Sequence, residues 1–268
     1  MLAVEHVSKH FPTPEGVVTA VEDFSFSVKA GEFVSIIGPS GCGKSTVFNI
    51  IGGLLGDYEG RVSVDGATVT GTHPSIGMVF QEESTFPWRT VLDNVAFPLE
   101  IAGMDKAERL ERAAHFVALV GLQGFERRLP AELSGGMRQR VAIARTLASQ
   151  PRILLMDEPF AALDEQTRLL LGDKVLQIQQ ELKQTTLLIT HNLTEAVQLS
   201  DRVLVMTYRP GRLKRIVDID LPHPRDSEVV SSEAFGHRVA EIWQDLREEA
   251  SRGIAADEAR VLRGGHKP

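Results

Sequence analysis

A glycine-rich run near the N-terminus has residue types and spacing that suit phosphate binding. Glycines let successive backbone N–H groups converge on phosphate oxygens, and a helix that follows adds the partial positive charge of its N-terminus. In this pattern the lysine binds the β- and γ-phosphates and the following hydroxyl holds Mg²⁺. The run fits G-x-x-x-x-G-K-[ST], and it consists of Gly38, Pro39, Ser40, Gly41, Cys42, Gly43, Lys44, Ser45 and Thr46.

The context of this run supports the same interpretation. An apolar segment, Phe33–Ile37, precedes it and a helix-forming segment, residues 46–55, follows it. A glycine-rich turn without a ligand is the alternative, but a strand before and a helix after are typical of a nucleotide-binding loop. The sequence therefore predicts that Lys44 binds nucleotide phosphates and that Ser45 binds the metal ion.

Two carboxylates follow a second apolar segment. Residues 153–156 are apolar and are followed directly by Asp157 and Glu158. Nucleotides bind at the carboxyl edge of parallel sheets, where such side chains would lie. We expect Asp157 to reach Mg²⁺ through water and Glu158 to orient and polarise the attacking water. A solvated acidic turn is the alternative, and the phosphate-binding run upstream argues against it.

The elements that must position these residues follow from hydrophobic periodicity. Strands alternating with helices predict right-handed crossovers and a parallel sheet. The last predicted helix has Phe235, Val239, Ile242 and Leu246 on one face, and the polar residues 251–268 after it are expected to be loosely held. The pattern indicates strands at 2–7, 21–28, 33–37, 61–64, 153–156, 186–190 and 202–206, a mostly helical section at about 90–148 and a helix at 166–182.

Composition restricts the classes of partner and compartment. The 268 residues carry a net charge of −7, which argues against nucleic acid as a partner. The absence of a signal pattern, and of an apolar run near 20 residues, predicts a cytoplasmic chain whose membrane role would need another subunit. The single cysteine, Cys42, excludes an internal disulfide. Loop amides could lower its pKa and make it reactive, although an unreactive small residue is the favoured alternative.

A third motif identifies a family resemblance. The segment lies between the two nucleotide motifs, opens a predicted helix and could form a second anion cradle. It closely resembles the LSGGQ-type signature of ABC ATPases, and the chain is similar to that family over residues 2 to about 206. The residues of this segment are Leu133, Ser134, Gly135, Gly136, Met137, Arg138 and Gln139.

The resemblance implies a fold and an activity. The fold is an α/β P-loop RecA-like core with a mostly parallel sheet, an N-terminal antiparallel β subdomain and an inserted α-helical subdomain at about 90–148. The cassette would span residues 1–208, and residues 209–268 would form a C-terminal extension with an amphipathic helix. The implied activity is an ATPase coupled to transmembrane transport, with ATP and Mg²⁺ as cofactors.

The family pattern also implies a head-to-tail dimer of two copies. Each signature would close over the ATP held by the other copy, which requires an isologous two-fold interface. The nucleotide-contacting residues of the signature would be Ser134, Gly135, Gly136 and Gln139, and Asp164 matches the D-loop aspartate that crosses the dimer. Assembly with ATP and loosening after hydrolysis would make a ligand-driven two-state switch.

Smaller family features complete the implied site. Gln81 matches the Q-loop glutamine, a ligand of Mg²⁺ and a sensor toward the membrane subunit. His191 matches the switch histidine that contacts the γ-phosphate. Phe11 occupies the position where many relatives stack the adenine on an aromatic ring, and Val18 would join it. The implied catalytic set is Glu158, His191 and Gln81, and the implied metal ligands are Ser45, Gln81 and Asp157.

Among ABC proteins the chain resembles the nitrate/sulfonate/taurine importer type. This implies a bacterial importer of a small anionic or organic solute, peripheral to the cytoplasmic face of the inner membrane. Its partners would be a two-subunit permease and, indirectly, an extracytoplasmic solute-binding protein. A separate-subunit exporter or lipid transporter is the alternative. The segments that carry the resemblance are residues 80–83, 87–95, 206–212 and 220–225.

The segment after Gln81 is the expected contact with the permease. Residues 86–94 would receive a short cytoplasmic helix, with apolar contact from Phe86, Pro87 and Trp88. The alternative is that Trp88 packs within the helical subdomain, since exposed aromatic residues at partner sites compete with core use.

Overall fold

The computed structural model describes residues 1–14, 16–82, 84–161 and 163–264. It consists of two compact units, Met1–Thr72 with Leu188–Pro268 and His73–Leu187. In chain order the elements are β1 (Leu2–Thr13), β2 (Gly16–Val28), β3 (Phe33–Ile37), α1 (Lys44–Ile51), β4 (Glu59–Val64), β5 (Ala67–Thr68), β6 (Ile76–Val79), α2 (Val91–Ile101), α3 (Lys106–Leu119), a 3₁₀ turn (Pro130–Glu132), α4 (Gly135–Ala148), β7 (Ile153–Asp157), α5 (Glu165–Leu182), β8 (Thr185–Ile189), α6 (Leu193–Leu199), β9 (Arg202–Met206), β10 (Leu213–Asp218), α7 (Ser227–Val230) and α8 (Glu233–Gly264).

The first unit contains the antiparallel sheet and the strand that leads into the phosphate-binding run. Strand β1 pairs antiparallel with β2 on one side and with β4 on the other. Strand β3 pairs parallel with β9, and β10 pairs antiparallel with β9. All five residues of β3 are buried, as expected for a continuous apolar strand covered on both faces. The predicted N-terminal antiparallel subdomain is confirmed.

The N-terminal hairpin is longer than the sequence indicated. The sequence indicated strands at 2–7 and 21–28, whereas β1 continues to Thr13 and β2 begins at Gly16. The pairing of β1 with β4 ends at Ser8, and beyond that point only β2 accompanies β1. A strand with one neighbour tolerates proline because the missing N–H can point away from the ladder. Glu15, at the tip, lies outside the described residues.

The second unit holds the helical section that the sequence predicted. Strand β6 pairs parallel with β7, with Val79 opposite Met156, and β8 begins in this unit beside β7. Helices α2, α3 and α4 make up most of residues 91–148, so the predicted mostly helical section is confirmed. Each helix begins at a polar side chain that accepts a backbone N–H, as N-caps do: Thr90 for α2, Asp105 for α3 and Ser134 for α4.

The C-terminal helix is the largest departure from the sequence prediction. Its predicted apolar face is confirmed, because Phe235 and Ile242 are buried and Val239 packs beside them. Yet α8 does not end near residue 251 but continues to Gly264. Its middle is held by a buried carboxylate, Glu249, and a buried glycine, Gly253. Among the residues that the structure describes, no helix is both long and apolar enough to cross a membrane.

A buried arginine links α6 and the residues after it to the segment that follows β10. The side chain of Arg225 is 2% exposed, and its guanidinium donates to five backbone carbonyls. Two charged nitrogens thus satisfy oxygens that would otherwise be buried without partners. The acceptors are the carbonyls of Val197, Gln198, Ser200, Ile219 and Leu221.

Replacing Arg225 by alanine is expected to lower the free energy of unfolding by about 2–4 kcal/mol, because several buried carbonyls lose their donor. Chemical denaturation followed by tryptophan fluorescence measures this loss. The matched control is Arg247→Ala, which removes an exposed arginine from α8. Equal unfolding midpoints for the two variants would contradict this role.

Candidate functional site

The phosphate-binding run forms a tight loop between β3 and α1. Gly43 adopts a left-handed conformation, with φ of 105°, and is the N-cap of α1. The Lys44 side chain folds back over the loop, where its Nζ donates to the carbonyls of Gly38 and Pro39 at 2.8 and 3.0 Å. Ser45 is exposed in the first turn of α1. Lysine, serine hydroxyl and helix N-terminus therefore lie together, as predicted.

The loop has no room for side chains at its glycines. A Cβ atom on Gly38 would lie 2.8 Å from Cys42 Sγ, and one on Gly43 would lie 2.7 Å from the carbonyl oxygen of Ala20. Real Cβ atoms do not approach other atoms so closely, so the backbone path requires glycine at both positions. The two glycines thus determine the backbone path of the phosphate-binding loop.

Cys42 is a buried thiol within the phosphate-binding run. Its side chain is fully buried, and this burial raises the pKa of the thiol, with the charge of Lys44 and nearby backbone N–H groups offsetting the effect only in part. The direction of the pKa shift is opposite to the lowering considered from the sequence, and it favours the alternative of an unreactive small residue, since the thiolate is the reactive form.

The acidic pair lies at the end of β7. Asp157 is buried, whereas Glu158 is half-buried and has a left-handed backbone, with φ of 46°. Gln81 Nε2 donates to Glu158 Oε2 at 3.3 Å, so two of the predicted catalytic residues meet in this unit. Asp157, Gln81 and Ser45 each carry a side-chain oxygen, the type of ligand that Mg²⁺ prefers.

The signature segment forms the start of α4. The Ser134 hydroxyl accepts the backbone N–H of Met137 at 3.3 Å and so caps the helix. Ser134 and Gly135 are exposed, which leaves their polar groups accessible to a ligand. Gln139 is 7% exposed, and its side chain donates to the Phe80 carbonyl at 3.3 Å. That amide fixes the end of β6 next to Gln81.

Asp164 and His191 are exposed residues at the ends of regular elements. Asp164 Oδ1 accepts the backbone N–H of Thr167 at 2.9 Å, in the first turn of α5. This hydrogen bond holds the pKa of the Asp164 carboxyl below its usual range, so the group is ionised at neutral pH. His191 follows β8 and belongs to the first unit. Both residues are exposed to solvent.

The two residues expected at the adenine face each other across the hairpin. Phe11 on β1 is directly opposite Val18 on β2. Lys9 Nζ lies 5.2 Å from the centre of the Phe11 ring, within the range of a cation–π contact. Val18 is exposed and Phe11 is half-buried, so this hairpin presents an aromatic ring bordered by an apolar side chain.

Sequence reasoning missed the residues that shape the segment after Gln81. Asn94 is fully buried, and its Nδ2 donates to the carbonyls of Phe86, Arg89 and Thr90, while its Oδ1 accepts the N–H of Phe86. Arg145 on α4 donates to the Ser84 carbonyl and hydroxyl, both at 2.8 Å. The only signal in the sequence was a polar residue on the apolar face of α2, four positions after its N-cap.

Comparison with known proteins agrees with these observations. A family model described as ABC transporter matches residues 21–161. An uncharacterized ABC transporter ATP-binding protein of Methanocaldococcus jannaschii is 50% identical over 91% of each chain. An aliphatic sulfonates import ATP-binding protein of Bacillus cereus is 42% identical over 91% of this chain and 96% of its own. A dimeric ATP-binding cassette in a post-hydrolysis state, bound to ADP and Pi, superimposes with a TM-score of 0.75 at 34% identity over 82% of this chain and 99% of its own.

Proposed function

Because the chain belongs to the family of ABC transporter ATP-binding subunits, whose ATPase activity drives transport, we propose that it powers a bacterial importer of a small anionic or organic solute. The observation that carries the importer assignment is its similarity to aliphatic sulfonate import subunits, 40–42% identical over 91–94% of this chain. The solute itself does not contact this subunit, so its identity is left at that chemical class.

The loop at Lys44 is the proposed site for the ATP phosphates. Its glycines let the backbone follow a tight path that a Cβ atom would block, and Lys44 supplies a positive charge where phosphate oxygens would arrive. Phe11 and Val18 would contact the adenine by stacking and apolar contact. The related cassette that holds ADP and Pi supports this assignment.

Hydrolysis would depend on a bound metal ion and on charged and polar side chains predicted from the sequence. Mg²⁺, when bound to Ser45, Gln81 and Asp157, would neutralise charge on the phosphates. Glu158 would orient and polarise the attacking water, and Gln81, which donates to it, would hold its carboxylate in place. His191 and Lys44 would stabilise the charge that develops on the γ-phosphate.

The active form that we propose is a head-to-tail dimer of this chain at the cytoplasmic face of the inner membrane. Exposed Ser134 and Gly135, at the start of α4, would cover the ATP held by the other copy, and exposed Asp164 would cross the interface. The dimeric cassettes among the similar structures support this arrangement. ATP would then bind at the interface, and ADP and phosphate would be released from it after hydrolysis.

The segment at Phe86–Trp88, which we call the docking segment, is the proposed contact with the permease. Trp88 is 73% exposed, so the alternative that it packs within the helical subdomain is wrong. Phe86 lies beneath it, with its ring centre 5.7 Å from that of Trp88 and 4.7 Å from that of Phe97. Exposed aromatic side chains on a rigid base are typical anchors of protein interfaces.

Replacing Trp88 by alanine is expected to reduce copurification of the permease at least fivefold while changing ATP affinity less than twofold, because the indole would be lost only from the permease contact. Affinity purification from native membranes, with quantitation of bound permease, measures this. The matched control is Trp243→Ala, which removes the other exposed tryptophan, on α8. Equal permease recovery from both variants would refute the contact.

The same purification tests the direction of transport. Recovery of an extracytoplasmic solute-binding protein together with the permease would support import. Recovery of a permease alone, from cells in which no binding protein is encoded beside it, would favour the separate-subunit exporter or lipid transporter.

A further inference from the structure

The turn that joins β9 to β10 packs against the phosphate-binding loop, although the two segments are far apart in the sequence. We define the Arg209 turn as residues 207–212. It is closed by its own hydrogen bonds, in which Thr207 N–H donates to the Arg212 carbonyl and Thr207 Oγ1 to the Pro210 carbonyl. The turn therefore has a fixed shape before it meets any other element.

The turn is anchored on β2 beside the loop. Gly211 N–H donates to the Ala20 carbonyl, and Glu22 N–H donates to the Gly211 carbonyl, both at 3.0 Å. A Cβ atom on Gly211 would lie 2.1 Å from the carbonyl oxygen of Cys42. The backbone of the turn is thus packed directly against the backbone of the loop, with no space for a side chain between them.

The side chain of Arg209 reaches from the turn to the phosphate-binding loop. Its Nε donates to the Gly41 carbonyl at 2.6 Å. Its Nη2 lies 2.8 Å from the position that a Cβ of Gly41 would take, so the guanidinium covers this glycine. The next amide, Cys42 N–H, donates to the Pro39 carbonyl at 3.3 Å. The peptide between Gly41 and Cys42 is therefore held at both its oxygen and its nitrogen.

The C-terminal helix holds the other side of the turn. Glu249, with a side chain 2% exposed, accepts the backbone N–H of Tyr208 at 3.1 Å. Its carboxylate also pairs with Lys214 at 3.2 Å and with Arg252 at 3.0 Å. Gly253 lies against the Tyr208 ring so closely that a Cβ there would be 2.9 Å from ring carbons. One buried carboxylate thus connects α8 to the residue next to Arg209.

We propose that Arg209 is a positioning residue that fixes the Gly41–Cys42 peptide for nucleotide binding, and that Glu249 on the C-terminal helix sets the position of Arg209. This rests on the proposed role of the loop in binding nucleotide. The hydrogen bond fixes a peptide of the cradle before phosphate arrives, and the permanent charge of the guanidinium adds to the attraction for phosphate. The C-terminal helix thereby becomes part of the nucleotide-binding apparatus rather than an appendage.

The first test compares Arg209→Ala with Arg212→Ala in the full chain. Arg212 belongs to the same turn but pairs with Glu22, so its loss removes the same charge without touching the loop. With Mg-ADP as the probe in titration calorimetry, Arg209→Ala is expected to weaken binding about threefold to tenfold and Arg212→Ala less than twofold. In steady-state hydrolysis KM for ATP should rise by the same factor while kcat stays within twofold.

Three results would overturn the proposal. Equal affinity for Arg209→Ala and wild type, with binding lost in Lys44→Ala, would remove the role of Arg209 and leave the loop assignment intact. Binding retained in Lys44→Ala would refute the loop assignment itself and this inference with it. A fall in kcat with unchanged KM would place Arg209 in the chemical step instead of in binding.

A second test addresses Glu249. Glu249→Gln is expected to weaken Mg-ADP binding about twofold to fivefold, and the double variant with Arg209→Ala should bind no more weakly than Arg209→Ala alone. If the double variant lost affinity for Mg-ADP by the product of the two single factors, Glu249 and Arg209 would act independently, and the proposed link between them would be refuted. Should Glu249→Gln purify unfolded, Gly253→Ala displaces Tyr208 without removing a charge and is expected to give the same non-additivity.

Discussion

Replacing Glu158 by glutamine is expected to lower steady-state ATP hydrolysis by about a hundred- to ten-thousandfold while leaving ATP affinity within about threefold of wild type. The amide keeps the size of the side chain and can still pair with Gln81, which now donates to the carboxylate at 3.3 Å. It cannot polarise a water as a base. Phosphate release under saturating Mg-ATP measures the rate.

The same variant should accumulate ATP-bound dimers, because the interface that ATP closes would no longer be opened by hydrolysis. Light scattering coupled to size-exclusion chromatography with Mg-ATP detects them. Glu111→Gln, an exposed position on α3, is the matched control and should hydrolyse ATP normally. Normal turnover in Glu158→Gln would exclude Glu158 as the residue that activates water.

Replacing Lys44 by alanine should weaken binding of ATP and ADP at least a hundredfold. The Lys44 side chain is 8% exposed and already lies within the loop, bonded to the Gly38 and Pro39 carbonyls. On binding it would exchange these neutral acceptors for charged phosphate oxygens, and hydrogen bonds to charged groups are about twice as strong. Titration calorimetry with Mg-ADP measures the loss.

A control is needed because Lys44 also supports the loop itself. Lys106→Ala removes an exposed lysine at the start of α3 and should bind as wild type does. Thermal unfolding of Lys44→Ala distinguishes lost binding from lost folding. A folded variant should unfold in a transition like that of the wild type. Tight ATP binding by a folded Lys44→Ala would mean that the phosphates bind elsewhere.

The sequence predicted those parts of the fold that depend on local spacing. The glycine pattern before Lys44 located the loop, and the apolar run before Asp157 located β7, because both follow from residue type at fixed intervals. Gln81 and Glu158 were also expected at one site, and their contact of 3.3 Å agrees with that. The remaining site residues, Phe11, Val18, Asp164 and His191 among them, stay predictions.

What escaped prediction depends on contacts between residues far apart in the chain. Glu249 and Gly253 hold the middle of α8, although polar composition indicated a loosely held segment from residue 251 onward. The Gln139 amide donates to the Phe80 carbonyl, 59 positions away. Such contacts have no periodic signature, and only the tertiary structure brings their partners together.

The hydrogen bonds of Asn94 bear on how quickly a membrane subunit can bind. The three carbonyls and one N–H that this amide satisfies hold the docking segment in a single conformation before any encounter. Little ordering entropy is then lost on association, and no slow rearrangement of this segment precedes complex formation. Association at this surface should therefore follow collision in one kinetic phase, with a rate proportional to permease concentration.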